Sequence, residues 1–150
     1  MSDQTFGYSI FCDDLRMEVG GKLSYIGVYS NELFVHGEFP FTLPKFAISI
    51  HFVEPHFASE QPVTFKIFLP GDELNSPSIE GELPMEHVRA EAALANPNRD
   101  PGKVLRLRAD VILSPLVFQT AGTVKVRAYR GQEEFKLGSL KVEQAAPATP

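Results

Sequence analysis

Cys12 stands beside Asp13 and Asp14, and His36 and His51 are available to serve a thiol as base. Cysteine chemistry needs a thiolate, which a neighbouring cation or a helix N-terminus stabilises. Two adjacent carboxylates do the reverse and raise the thiol pKa. Free cysteines are also among the most frequently buried residues, so Cys12 reads as a core residue. His51, Glu54 and His56 carry metal-ligating groups, but zinc requires three or four ligands converging at ~2.0–2.3 Å. An extended strand would send positions 51 and 56 to opposite faces, and Pro55 intervenes, so surface histidines are expected. Asp13 with Asp14, or Asp72 with Glu73, could share a proton or hold calcium. Neighbours along a strand point apart, and calcium loops carry a run of alternating Asp that is absent here. The aspartates read instead as turn formers that bond their own backbone. With no phosphate-cradling glycine loop and no nucleophile elbow, the sequence assigns no catalytic, cofactor or metal residue, and a non-enzyme is expected.

The strongest chemical pattern is basic. Lys66, Arg106, Arg108, Lys125, Arg127, Lys136 and Lys141, seven of the fourteen basic residues, all fall on expected outward positions. Arg106, Arg108, Lys125, Arg127 and Lys136 form the candidate interaction surface. Arginine forks suit carboxylate and phosphate, so an acidic protein partner fits it. A solvated face with edge-protecting lysines is the plain alternative, with Glu133, Glu134 and Glu143 as local screens. Nucleic acid ranks lowest: the net charge is −5, and only Tyr129 could offer a stacking surface. The charge is uneven, however. Residues 1–98 hold fourteen acids against five bases, a net −9, and residues 99–150 hold five against nine, a net +4.

The elements that must position these residues are strands. Phe46, Ile48, Ile50 and Phe52 alternate with polar or small residues. So do Val63, Phe65, Ile67 and Leu69, and Leu105, Leu107, Ala109, Val111 and Leu113. Period two gives each run one apolar and one wet face. Further strands are expected over Phe6–Cys12, continuing through Leu15, Met17 and Val19, and over Lys22–Tyr29, Leu33–Val35, Ser78–Leu83, Leu116–Phe118, Thr123–Tyr129 and Glu134–Val142. Gly20-Gly21 suits a two-residue hairpin turn, which would set Val19 opposite Lys22. Pro70-Gly71-Asp72 marks another turn. Parity slips between Leu137 and Leu140, and a bulge or bend at Gly138 would return both to the core. Pro84–Ala95 is the one helix candidate, with Met85, Val88, Ala92 and Ala95 on one face and Asn96-Pro97 as its stop. It also reads as an insertion.

These signals predict an all-β fold, a two-layer antiparallel β-sandwich of immunoglobulin-like, Greek-key type with one short helix or insertion. The single domain is expected over 1–144, followed by a disordered tail at 145–150. Twelve phenylalanines and no tryptophan fit a core of strand-forming aromatics. One cysteine allows no internal disulfide, and the start carries no leader-like apolar run, so the cytoplasm is the expected compartment. No membrane association is expected.

Phe11-Cys12-Asp13-Asp14-Leu15-Arg16, with Gly21-Lys22-Leu23-Ser24 and Gly27-Val28-Tyr29, resembles the opening of a family of small uncharacterised bacterial proteins, a domain of unknown function. In that family a Gly-x-Tyr opens the penultimate strand, and Gly122-Thr123-Val124 departs from it here. The resemblance implies a sandwich fold and a bacterial or phage setting, and it brings no activity or ligand. The leading expectation is a non-enzymatic protein-interaction or structural module. The alternatives are a small enzyme with a site between the 30–44 loop and the 84–103 insertion, and binding of nucleic acid or an acidic partner through the basic strand face. Homo-oligomerisation stays open.

Overall fold

The computed structural model describes residues 5–55, 61–84 and 104–146. Beyond Pro84, the helix expected at 84–95 lies outside the described residues, as do His56 and the tail beyond residue 146. Eleven strands fill the described residues, and no helix occurs among them.

The alternating runs become the central strands. β1 (Phe6–Met17), β2 (Leu23–Val28), β5 (Phe46–Pro55) and β8 (Val104–Leu113) form a four-stranded antiparallel sheet in the order β2-β1-β5-β8. β3 (Glu32–Val35), β6 (Val63–Phe68), β7 (Ile79–Leu83), β10 (Gly122–Arg130) and β11 (Glu133–Gln144) form a five-stranded sheet in the order β3-β11-β10-β6-β7. Its pairs are antiparallel except β3 with β11, which run parallel. β4 (Phe41–Leu43) and β9 (Leu116–Phe118) make a separate two-stranded ribbon. The sheets pack face to face as an all-β sandwich.

The parity read from sequence sets the core. Phe46, Ile48, Ile50, Phe52 and Leu107 of one sheet meet Val63, Phe65, Ile67, Val124 and Val126 of the other, all buried. Val111 is only partly buried against this cluster, because β8 is the edge of its sheet. Rings interlock in the core: Phe52 meets Phe135 of the other layer edge-on at 5.1 Å, and Phe46 meets Phe118 of the β4–β9 ribbon at 6.3 Å. The expected bulge is present. The β10–β11 register shifts between Lys125 and Arg127, Gly138 takes φ +112°, and Leu137 and Leu140 both reach the core.

The Gly20-Gly21 expectation needs correction. Met17 pairs with Leu23, and Glu18 N–H donates to the Lys22 carbonyl at 2.7 Å, which leaves a three-residue loop, Val19-Gly20-Gly21. Both glycines take positive φ, +85° and +75°. The longer loop places Glu18 rather than Val19 beside Lys22, replacing an apolar–charged mismatch with opposite charges.

Glu54 and Arg130 continue the inward parity of β5 and β10. Their side chains form an ion pair inside the sandwich, 0% and 8% exposed, and the Arg130 guanidinium lies 5.5 Å from the Phe52 ring centre. Arg130 thus opens the β10–β11 turn while its side chain points back between the sheets.

Candidate interaction surface

The strand registers sort the basic residues onto two faces. Lys125 and Arg127 lie on the outer face of the five-stranded sheet, where Lys66, Lys136 and Lys141 join them. Arg127 is directly opposite Lys66 on β6 and Lys136 on β11, so three cations form one row across three strands. Neighbouring strands are ~4.8 Å apart, well inside the Debye length of ~8 Å at physiological salt. Arg106 and Arg108 sit on β8, in the opposite sheet. The five-residue candidate surface is therefore not continuous. A sandwich places strands 8 and 10 in different layers, a separation that alternation along each strand does not reveal.

Acids flank the cationic row. Glu80 pairs with Lys66 across β7 and β6, and Glu134 approaches Arg127 at 4.0 Å. Lys141 forms an ion pair with Glu143, which raises its pKa above the ordinary lysine value. Lys66 caps the Tyr129 ring at 5.0 Å from its centre. That occupies one face of the aromatic ring a nucleobase would need. Beside Lys125, residues Phe68, Pro70, Leu74 and Thr123 line a cleft of about 170 Å³, below the ~300–1,000 Å³ usual for small-molecule sites.

The outer face of the four-stranded sheet holds a polar network that sequence reading did not assemble. Ser49 on β5 donates its hydroxyl proton to Asp110 on β8 at 2.7 Å. His51 Nε2 lies 2.9 Å from the same Ser49 oxygen, and the Tyr25 hydroxyl on β2 lies 3.2 Å from both. Since the serine proton goes to Asp110, the His51 proton is on Nε2 and donates to Ser49. Arg108 holds the other Asp110 oxygen at 3.2 Å, and Tyr8 stacks on His51 with ring centres 4.7 Å apart. Burial and the Arg108 charge lower the His51 pKa below its ordinary value, Asp110 opposes the shift, and Arg106 adds to it.

These residue types match those of a hydrolytic triad, but their order differs. In a triad, imidazole stands between hydroxyl and carboxylate and accepts the hydroxyl proton. Here the serine stands in the middle, is fully buried, and directs its proton to the carboxylate. The arrangement links β2, β5 and β8 on one face of the sheet, with the Tyr25 hydroxyl reaching across β1. The available signal was Ser49 and His51 two apart on the outward side of an apolar strand. Tyr25 could not be added without knowing that β2 joins the same sheet beyond β1.

The remaining candidates have structural partners. Cys12 is fully buried against Ala47, Leu15 and Tyr25; burial first, then Asp13 and Asp14, pushes its thiol pKa up. Asp13 and Asp14 diverge: Asp13 accepts from the Tyr29 hydroxyl, and Asp14 pairs with Lys45 at 2.8 Å, which lowers the Asp14 pKa. Asp72 accepts from Leu69 N–H at 2.8 Å, Ser78 N–H at 2.9 Å and the Ser78 hydroxyl at 2.7 Å, closing the Pro70-Gly71 turn. No group of three metal-ligating side chains occurs among the described residues. No helix among them is long and apolar enough to cross a membrane. Half of the enzyme alternative, the 84–103 segment, falls almost wholly outside the described residues.

Comparison with family models, curated proteins and solved structures finds no match for this chain.

Proposed function

We propose that this chain is a non-enzymatic protein-interaction module that docks an acidic protein partner, in a bacterial or phage setting, through the outer face of its five-stranded sheet. The observation that supports this reading is the row Lys66–Arg127–Lys136. Like charges directly opposite on neighbouring strands destabilise a sheet. The two flanking acids, Glu80 and Glu134, leave a local cationic surplus that an acidic surface would neutralise, with Lys125 one row away. The immunoglobulin-like reading of the fold belongs to the same proposal. Its support is the parallel β3–β11 edge together with β1 in the other sheet, which divides the N-terminal segment between both layers.

A labelled poly-glutamate peptide tests the electrostatics. It is expected to bind with an affinity that falls as salt is raised. The triple variant Lys66→Glu, Arg127→Glu, Lys136→Glu is expected to abolish binding, while Arg106→Glu with Arg108→Glu, on the other sheet, leaves it intact. Equal loss from both variant sets would place recognition elsewhere. Equal affinity for a single-stranded oligonucleotide would favour a nucleic-acid role.

A further inference from the structure

Among the described residues, β8 has a ladder partner on one side only. A ten-residue edge strand presents ~33 Å of unpaired backbone donors and acceptors, a template for another strand. Ala109, Val111 and Leu113 face the core yet are only partly buried, because their layer ends there. On the outer side, Arg106, Arg108 and Asp110 lead to Ile112, which is 48% exposed.

We infer that this edge pairs with β8 of a second copy, antiparallel, about a two-fold axis at Ala109. Directly opposite residues must share a face, so only registers centred on a residue keep apolar and polar sides matched. Centring on Arg108 sets that arginine against itself. Centring on Asp110 opposes two carboxylates, and centring on Leu107 sets Arg106 against Arg108. Centring on Ala109 places Arg108 of each copy opposite Asp110 of the other, twice over. The same register sets Leu107 against Val111 on the apolar side and lays the Arg106 methylenes along Ile112 on the outer side. Charged residues often protect an edge from pairing, but here the approaching strand carries the neutralising charge. Each Arg108 already lies 3.2 Å from its own Asp110, so the axis closes a square of alternating charges. The product is one eight-stranded sheet spanning two sandwiches. A single shared edge is a small interface, so the dimer is expected to be reversible and concentration-dependent.

Light scattering after gel filtration, over protein concentrations from about 10 µM to about 1 mM, is expected to show a rise from monomer toward dimer mass. Arg108→Asp sets carboxylates opposite one another and is expected to weaken the dimer at least tenfold, with the monomer melting temperature as the fold control. The register has its own test. Across the axis the two Ala109 Cα atoms are ~4.5–5.5 Å apart, within disulfide reach. Ala109→Cys is therefore expected to oxidise to a linked dimer, with Cys12 buried and out of reach. Ile112→Cys places its thiols ~20 Å apart, so it is expected to remain unlinked. A monomer at every concentration, or linkage at position 112 ahead of 109, overturns the proposal.

Discussion

At the residue scale, two charged groups show how parity predicts direction better than partnership. Glu54 and Arg130 extend the core-facing sets of their strands, so their inward aim is legible in the alternation. Their meeting is not, since it joins residues 76 apart on different sheets. Removing the cation takes away the charge that Arg130 sets against the buried Glu54 carboxylate. Arg130→Met is expected to cost ~3–5 kcal/mol, read as a lowered urea midpoint, and adding Glu54→Leu is expected to recover much of the loss because an apolar replacement of a buried pair is often neutral. His51 gives a pH dependence. Its folded pKa is depressed by burial, so the unfolded chain binds the proton more tightly. Its contribution to stability is complete above the unfolded value of ~6.5 and is lost as pH falls from there through the lower folded value. Urea midpoints at about pH 7.5 and about pH 5 are expected to diverge less in His51→Gln than in the parent, and an equal divergence would remove His51 from the linkage.

At the scale of elements, turn chemistry and hydrophobic alternation carry most of the strand assignments. The ribbon is the exception. β4 has three residues between Pro40 and Pro44, too short for any period to register, and it exists because β9 pairs with it. The division of the basic residues between two sheets belongs to this scale too. Each strand's outward residues are legible, but the sheet each strand joins depends on crossovers that leave no local trace. The Pro70-Gly71-Asp72 turn is better determined, since one carboxylate oxygen accepts three hydrogen bonds across it. Asp72→Ala is expected to cost ~1–3 kcal/mol in chemical denaturation with an unchanged m-value. At the β11 bulge, Gly138 holds φ +112°, and Gly138→Ala is expected to cost more than ~1 kcal/mol in the same measurement.

At the scale of the molecule, the two layers share one core, and Phe46 lies inside it with Phe11, Tyr29 and Phe118 around its ring. Phe46→Ala is expected to lower stability by ~3–5 kcal/mol by calorimetry, through lost transfer energy and the cavity left behind. Much of the strand pairing is between segments distant in sequence, including β1 with β5 and β3 with β11. That topology places refolding in the millisecond-to-second range. The parallel β3–β11 pair has a mechanical consequence. The registers bring the chain in at the end marked by Glu54 and Arg130 and let it out at the opposite end, beside Gly122. Tension between the two termini therefore runs along the strands. It loads β1 at its N-terminal end and β11 at its C-terminal end; carried through β1 and β2 to β3, it draws β3 and β11 in opposite directions along their length, and because the two are parallel, all their ladder bonds are loaded together in shear. Such a pair yields as a unit rather than opening one bond at a time, so the β3–β11 edge resists stretching along the strands more than it resists peeling.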